Sequence, residues 1–295
     1  MPEVEGTFDI GATSLYTKTW LPETPAVANL IFIHGYSDHC NTYPELFAAL
    51  SSRGIAVYSF DQRGWGRSVK TPRDRGLSGP TPQVISDMVA FINSVLAKSD
   101  TLPVFVMGNS MGGGQILTLA CSPEHKALTA RVRGWLAEAP FIGFPKGAEP
   151  MRLEVVAGRF LGKLLPTFQL KKPIDVNTLT RIPEMAERAE KDELCHGTGT
   201  LQGLAGMLDR AANLDSGSLK LNDNIAALAI FHGSGDKVTS HIASRKFFDA
   251  QTLQDRHFKE YEGAYHQLHA DLCWEEFCKD VGDWVLEHVE SKPRL

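Results

Sequence analysis

The stretch VFVMGNSMGGGQILTLA, residues 104–120, constrains the fold more than any other part of the chain. Its first four residues are an unbroken apolar run, the pattern of a strand buried on both faces of a parallel sheet. Its last eight predict a helix. Between them lies Gly108-Asn109-Ser110-Met111-Gly112, so the chain must pass from strand to helix in a very sharp turn. A Cβ at either flanking position would clash in such a turn, which explains the two glycines. The same turn lifts the Ser110 hydroxyl clear of the sheet, where a reactant can reach it.

The rest of the chain alternates as this element requires. TFDI and SLYTKTW read as strands on either side of Gly11-Ala12, and ANLIFI and IAVYSF as buried strands ending at His34-Gly35 and Asp61. A helix is expected in PELFAALSSRG, where Gly54 ends it, and another from Thr81, with Pro82 in its first turn. RVRGWLAEA, AALAIF and HFKEYE read as further strands, with a helix near SRKFFDAQ and a long C-terminal helix. Strands alternating with helices predict an α/β fold with a mostly parallel central sheet and helices on both faces. The rhythm breaks between Phe141 and about Leu221, a stretch that reads as largely helical. We expect core sequence at 1–140, an inserted helical cap or lid at 141–221, and the second part of the core at 222–295.

Strand, G-x-S-x-G and helix in this order resemble the nucleophile elbow of α/β-hydrolases. A serine nucleophile needs a base, and the base needs an orienting carboxylate. In that fold they follow in the order Ser, acid, His, each in a loop after a strand. Asp236, in HGSGDKV just after AALAIF, suits the acid; Asp215 and Asp223 compete but precede that strand. His266, in GAYHQLH after HFKEYE, suits the base, with His269 as its rival. His241 and His257 stand at the starts of their elements, the wrong ends. The developing oxyanion needs donors, for which the backbone N–H groups of Met111 and of Tyr36, after His34-Gly35, are the candidates.

At this point the stretches HGYSDH, FDQRGWGRS, MGNSMGGG, HGSGDKVTS and GAYHQLHAD together resemble the monoacylglycerol lipases, in a fungal form and over nearly the whole chain. The resemblance implies hydrolysis of monoacylglycerol to fatty acid and glycerol, without a cofactor, beneath a lipid-facing lid. It implies a triad of Ser110, Asp236 and His266, with oxyanion donors at Tyr36 and Met111. Four positions depart from the animal members. Asp38 stands in place of a Glu, Thr42 in place of an Arg, Asn109 and Trp65 in place of histidines. Thr42 cannot supply the charged donor of that arginine, which bears on head-group specificity.

Charge and composition narrow the remaining classes. A net charge of -5 argues against a nucleic-acid partner. MPEVEG lacks the basic start and apolar run of a signal peptide. Cys40, Cys121, Cys195, Cys273 and Cys278 form an odd set without CxxC spacing, as expected of reduced thiols in a cytoplasmic protein. From Phe141 to Lys172, however, six Lys or Arg stand against two acids, among apolar residues such as Phe160, Leu161 and Leu164. That mixture predicts peripheral contact of the cap with a membrane or lipid-droplet surface; packing of the same residues on the core is the alternative. His34, Asp38 and His39 make only part of a di-zinc motif, since Tyr36 occupies the place of its second histidine. No metal is expected. A dinucleotide site would need G-x-G-x-x-G after an early strand, which is absent. Lysophospholipase, carboxylesterase and thioesterase remain as alternatives within the serine hydrolases.

Overall fold

The computed structural model describes residues 1–99, 101–149 and 151–290, without the side chains of residues 152–155, 157 and 290. In chain order the strands are β1 (Glu3–Ile10), β2 (Thr13–Trp20), β3 (Ala28–Ile33), β4 (Ile55–Phe60), β5 (Val104–Asn109), β6 (Gly134–Glu138), β7 (Gln169–Lys171), β8 (Thr198–Thr200), β9 (Leu228–Gly233) and β10 (Arg256–Tyr261). The helices are α1 (Pro44–Ser52), α2 (Thr81–Leu96), α3 (Met111–Ala120), α4 (Lys126–Thr129), α5 (Arg152–Leu164), α6 (Pro183–Lys191), α7 (Leu201–Asp215), α8 (His241–Asp249) and α9 (Trp274–Glu290).

Eight strands form one sheet in the order β1-β2-β4-β3-β5-β6-β9-β10. β1 and β2 pair antiparallel with each other, as do β2 and β4; the pairs from β4 through β3, β5, β6 and β9 to β10 are parallel. Because side chains alternate along a strand, each central strand feeds two cores. Ile31, Ile33, Val104, Val106 and Ile230 pack beneath α2, α3 and α8. Leu30, Phe32, Phe105, Met107 and Phe231 pack beneath α1 and α9. The apolar runs in the sequence are continuous for this reason: neither face of these strands meets water.

Between β6 and β9 the chain leaves the sheet and returns. Phe141 and Ile142, at the start of this segment, are buried, and Ile142 belongs to the main core. α7, at its other end, packs against α2, α3 and α8. The intervening residues are not wholly helical. β7 and β8 form a small antiparallel pair, with Leu170 opposite Gly199. Two three-residue strands far apart in sequence leave no periodic trace, so a helical expectation passes over them.

Candidate active site

The site is assembled at the carboxyl ends of β3, β5, β6, β9 and β10. Ser110 sits between β5 and α3 with φ 52° and ψ −116°, a conformation that side-chain-bearing residues rarely adopt. Its N–H donates to the Glu138 carbonyl at 2.9 Å, and its own carbonyl accepts from Phe141 N and Gly114 N. A Cβ on Gly112 would lie 2.1 Å from the Ile33 carbonyl oxygen, and one on Gly108 would lie 2.6 Å from Gly112 itself. Both flanking glycines are therefore obligatory. Gly112→Ala is expected to yield little soluble protein, because the clash is with backbone and cannot be relieved by a rotamer change; recovery of wild-type yield and Tm would contradict the packing described.

Among the described residues the non-glycine positive φ angles fall at Ser37 (56°), Ser110 (52°) and Ala139 (42°). All three follow the neighbouring strands β3, β5 and β6. Strain of this kind persists only where the surroundings hold it, and here it rings one point.

Asp236 and His266 meet in the loops after β9 and β10. His266 Nδ1 lies 2.8 Å from Asp236 Oδ2, and both side chains are buried. Asp236 Oδ1 accepts the backbone N–H of Val238 (2.7 Å) and Thr239 (2.9 Å), which fixes the carboxyl from below. Burial works to raise the Asp236 pKa, but the charge of His266 and hydrogen bonds from His232 and His266 outweigh it and hold the carboxyl far below its ordinary range. Burial likewise works to lower His266, and the Asp236 charge and hydrogen bond reverse that, leaving the imidazole raised above 6.5.

Ser110, His266 and Tyr36 all line one cleft of about 840 Å³. Its roof comes from the segment between β6 and β9, including Ile174, Val176, Leu179 and Met185. Among the described residues no acceptor is taken up by the N–H of Tyr36 or of Met111. The loop carrying Tyr36 is clasped by the roof. Tyr36 Oη donates to the Gly197 carbonyl at 3.2 Å, Gly197 N donates to Ser37 Oγ at 2.8 Å, and His39 Nε2 lies 2.9 Å from Asp192 Oδ2. Trp65 completes the clasp, with its ring edge-on to Tyr36 and stacked on His196.

The rival residues have other partners. His269 lies in a short 3₁₀ turn and pairs with Glu138 at 2.7 Å, away from Asp236. Asp215 holds Lys246, and Asp223 pairs with Lys126 at the surface. His34 accepts the Gln62 N–H, and Asp38 takes the hydroxyls of Thr42 and Tyr43. Thr42 thus faces the cleft as a neutral group already engaged by Asp38. Asn109 is buried beside Tyr43, whose hydroxyl lies 3.3 Å from its Oδ1. Among the described residues, the metal-ligating atoms that cluster within 4.8 Å of one another are those of His39, Asp192 and Cys195, of which the first two already bond each other.

Three partners of the site were not foreseen. His232 and Thr239 both reach Asp236 Oδ2, at 3.0 and 2.7 Å, and Glu138 joins His269 to the backbone of Ser110. For His232 and Thr239 a signal existed, since they stand four residues before and three after Asp236 in the same turn. Glu138 and His269 are 131 residues apart and carried none.

A family model described as serine aminopeptidase, S33, within a hydrolase group, matches residues 24–272. The chain belongs to this family. A Schizosaccharomyces pombe protein named "Putative monoglyceride lipase" is 35% identical over 285 residues, covering 95% of this chain and 72% of its own length. The monoacylglycerol lipase of Mycolicibacterium smegmatis is 25% identical, with 95% of each chain covered. A crystal structure of a soluble variant of Saccharomyces cerevisiae monoglyceride lipase in complex with a substrate analog superposes with TM-score 0.89 at 21% identity, covering 99% of this chain and 97% of that one. At that identity the likeness speaks for the α/β-hydrolase fold alone, as do the parallel sheet and its two-sided helical cover.

Proposed function

We propose that this protein is a serine hydrolase that cleaves monoacylglycerols to fatty acid and glycerol through an acyl-enzyme on Ser110. The observation that carries it is the strained Ser110 in the same cleft as His266, whose Nδ1 is bonded to the buried Asp236. His266 Nε2 takes the Ser110 proton as Oγ attacks the ester carbonyl, while Asp236 keeps Nδ1 protonated and stabilises the imidazolium. The N–H groups of Tyr36 and Met111 receive the oxyanion. Collapse expels glycerol, protonated by His266, and water repeats the sequence on the acyl-enzyme. The names of the relatives support the substrate, and Ile174, Val176, Leu179 and Met185 in the otherwise mixed, partly charged roof suit an acyl chain. Initial rates on monoacylglycerols, diacylglycerols, lysophospholipids, short esters and aminoacyl amides test it. Preference for a substrate other than monoacylglycerol would replace this reading with lysophospholipase, carboxylesterase or peptidase.

We also propose that α5 docks on a membrane or lipid droplet. Phe160 and Leu164 are 64% and 63% exposed, and Val156, Leu161, Leu165 and Phe168 are exposed around them. Lys163, Lys171 and Lys172 are exposed too. The side chains of Arg152, Leu153, Glu154 and Val155 lie outside the described residues. Large apolar side chains buried in the headgroup region contribute up to roughly 1.5–3 kcal/mol each, and basic residues about 1 kcal/mol each on anionic lipid. Replacing Phe160 and Leu161 together with Ser is therefore expected to weaken vesicle binding and lower kcat/KM on long-chain monoacylglycerol. Hydrolysis of p-nitrophenyl acetate should barely change. Equal loss on both substrates, or on neither, would end the docking proposal.

A further inference from the structure

Asp236 holds more donors than the orientation of one imidazole requires. Its Oδ2 accepts His266 Nδ1 (2.8 Å), the Thr239 hydroxyl (2.7 Å) and His232 Nε2 (3.0 Å). His232 stands in β9, is wholly buried, and has no partner for Nδ1 among the described residues. An orphaned ring nitrogen in the core costs free energy that a leucine of similar size would not. The ring is thus useful only at its Nε2 end. The tautomer follows: the carboxylate can only accept, and a hydrogen on Nδ1 would have no acceptor.

We propose that His232 is a positioning residue that tunes the basicity of His266 through the carboxylate oxygen the two share. The inference rests on the reading of Asp236 and His266 as catalytic partners. Each donor to Oδ2 stabilises its charge and so weakens its hold on the imidazolium. A carboxylate facing His266 alone would raise the proton affinity of that ring further, leaving more of it protonated and unable to take the Ser110 proton. The His232 bond also fixes the carboxyl plane, so that Oδ2 stays in line with Nδ1. The titratable groups that act on His266 are Asp236, Glu138 at the end of β6 and Asp38 in the loop after β3. Of these, Asp236 is the one that hydrogen-bonds the ring, and His232 acts on Asp236. Burial of Asp236 opposes its ionisation, and His232 is among the groups that overcome this.

The test is the pH profile of kcat/KM on a soluble ester. In His232→Leu the acid limb is expected to move up by roughly half a pH unit or more, with kcat at neutral pH several-fold lower and KM unchanged. His232→Gln places an amide N–H near the same oxygen and should return both the limb and kcat toward wild type. An unmoved acid limb in His232→Leu, or no recovery in His232→Gln, overturns the proposal and leaves a packing role. If His232→Leu does not fold, Thr239→Val removes another donor from the same oxygen and must shift the limb in the same direction. An unmoved limb there is equally fatal. His266→Ala separates the two levels. If it is inactive while the limb of His232→Leu does not move, this inference alone fails; if it is fully active, the reading of the site beneath it fails.

Discussion

Ser110→Ala is expected to abolish labelling by a fluorophosphonate probe and to lower turnover by about 10³-fold or more, with Tm nearly unchanged. The size follows from the way a triad works as a unit: once the nucleophile is gone, His266 and Asp236 have nothing to activate, and only oxyanion stabilisation and binding remain. The neutrality toward stability follows from local geometry. The strain at φ 52° is borne by any residue with a Cβ, so alanine inherits it. Among the described residues the Ser110 Oγ has no hydrogen-bond partner, and the backbone bonds to Glu138, Gly114 and Phe141 are kept. Large losses of stability come from cavities, stranded polar groups or broken networks, and removing one unpartnered oxygen at the mouth of a cleft creates none of these. Intact folding with wild-type turnover in Ser110→Ala would remove the basis of the serine-hydrolase reading.

Asp236→Asn is expected to cut kcat by up to about 10⁴-fold while the protein stays folded. The asparagine can accept through one atom only, and an amide hydrogen facing His266 Nδ1 would force the ring into the wrong tautomer. The residual activity carries a second signature. The Asp236 carboxylate raises His266 against the lowering effect of burial. Without that charge the burial effect prevails, the imidazole pKa falls, and the acid limb of the remaining kcat/KM moves to lower pH. His266→Ala should be comparably inactive. His269→Ala should fail differently. It would take the ring partner from the wholly buried Glu138 carboxyl and leave it the backbone N–H of residue 269 at 3.2 Å; removing one partner of a buried pair costs up to about 3–5 kcal/mol of stability. A lower Tm with kcat largely retained is therefore the expected result, read by calorimetry and by rates below the transition. Loss of kcat in His269→Ala at full stability would show that the base had been assigned to the wrong histidine.

Much of the fold was legible because it rests on short-range physics. VFVM is apolar without interruption, and ANLIFI and IAVYSF are so but for Asn29 and Ser59, because both faces of those strands are covered, and that pattern needs no knowledge of the partners. The turn at Gly108 to Gly112 is a local steric requirement, so it marks Ser110 wherever the sheet ends up. Asp236 and His266 were legible through chain order, since each sits just past the end of a recognisable strand. What eluded this kind of reading depends on which strands lie side by side. Glu138 and His269 meet because β6, β9 and β10 are successive neighbours in the sheet. The clasp of Gly197 and Asp192 on the loop after β3 likewise depends on where the roof comes to rest. His232 is an intermediate case: its spacing to Asp236 was visible, but that its Nε2 would face the carboxylate was not. The sequence by itself determined a parallel sheet, the strand ends that carry the candidate residues and the strained turn at Ser110, because strand burial and turn sterics act within a few residues. The buried pairing of His266 with Asp236, the third donor on Asp236 and the hold of the roof on Tyr36 were decided by the tertiary structure, because hydrogen bonds between distant segments exist only once strand order and register bring their atoms within about 3 Å.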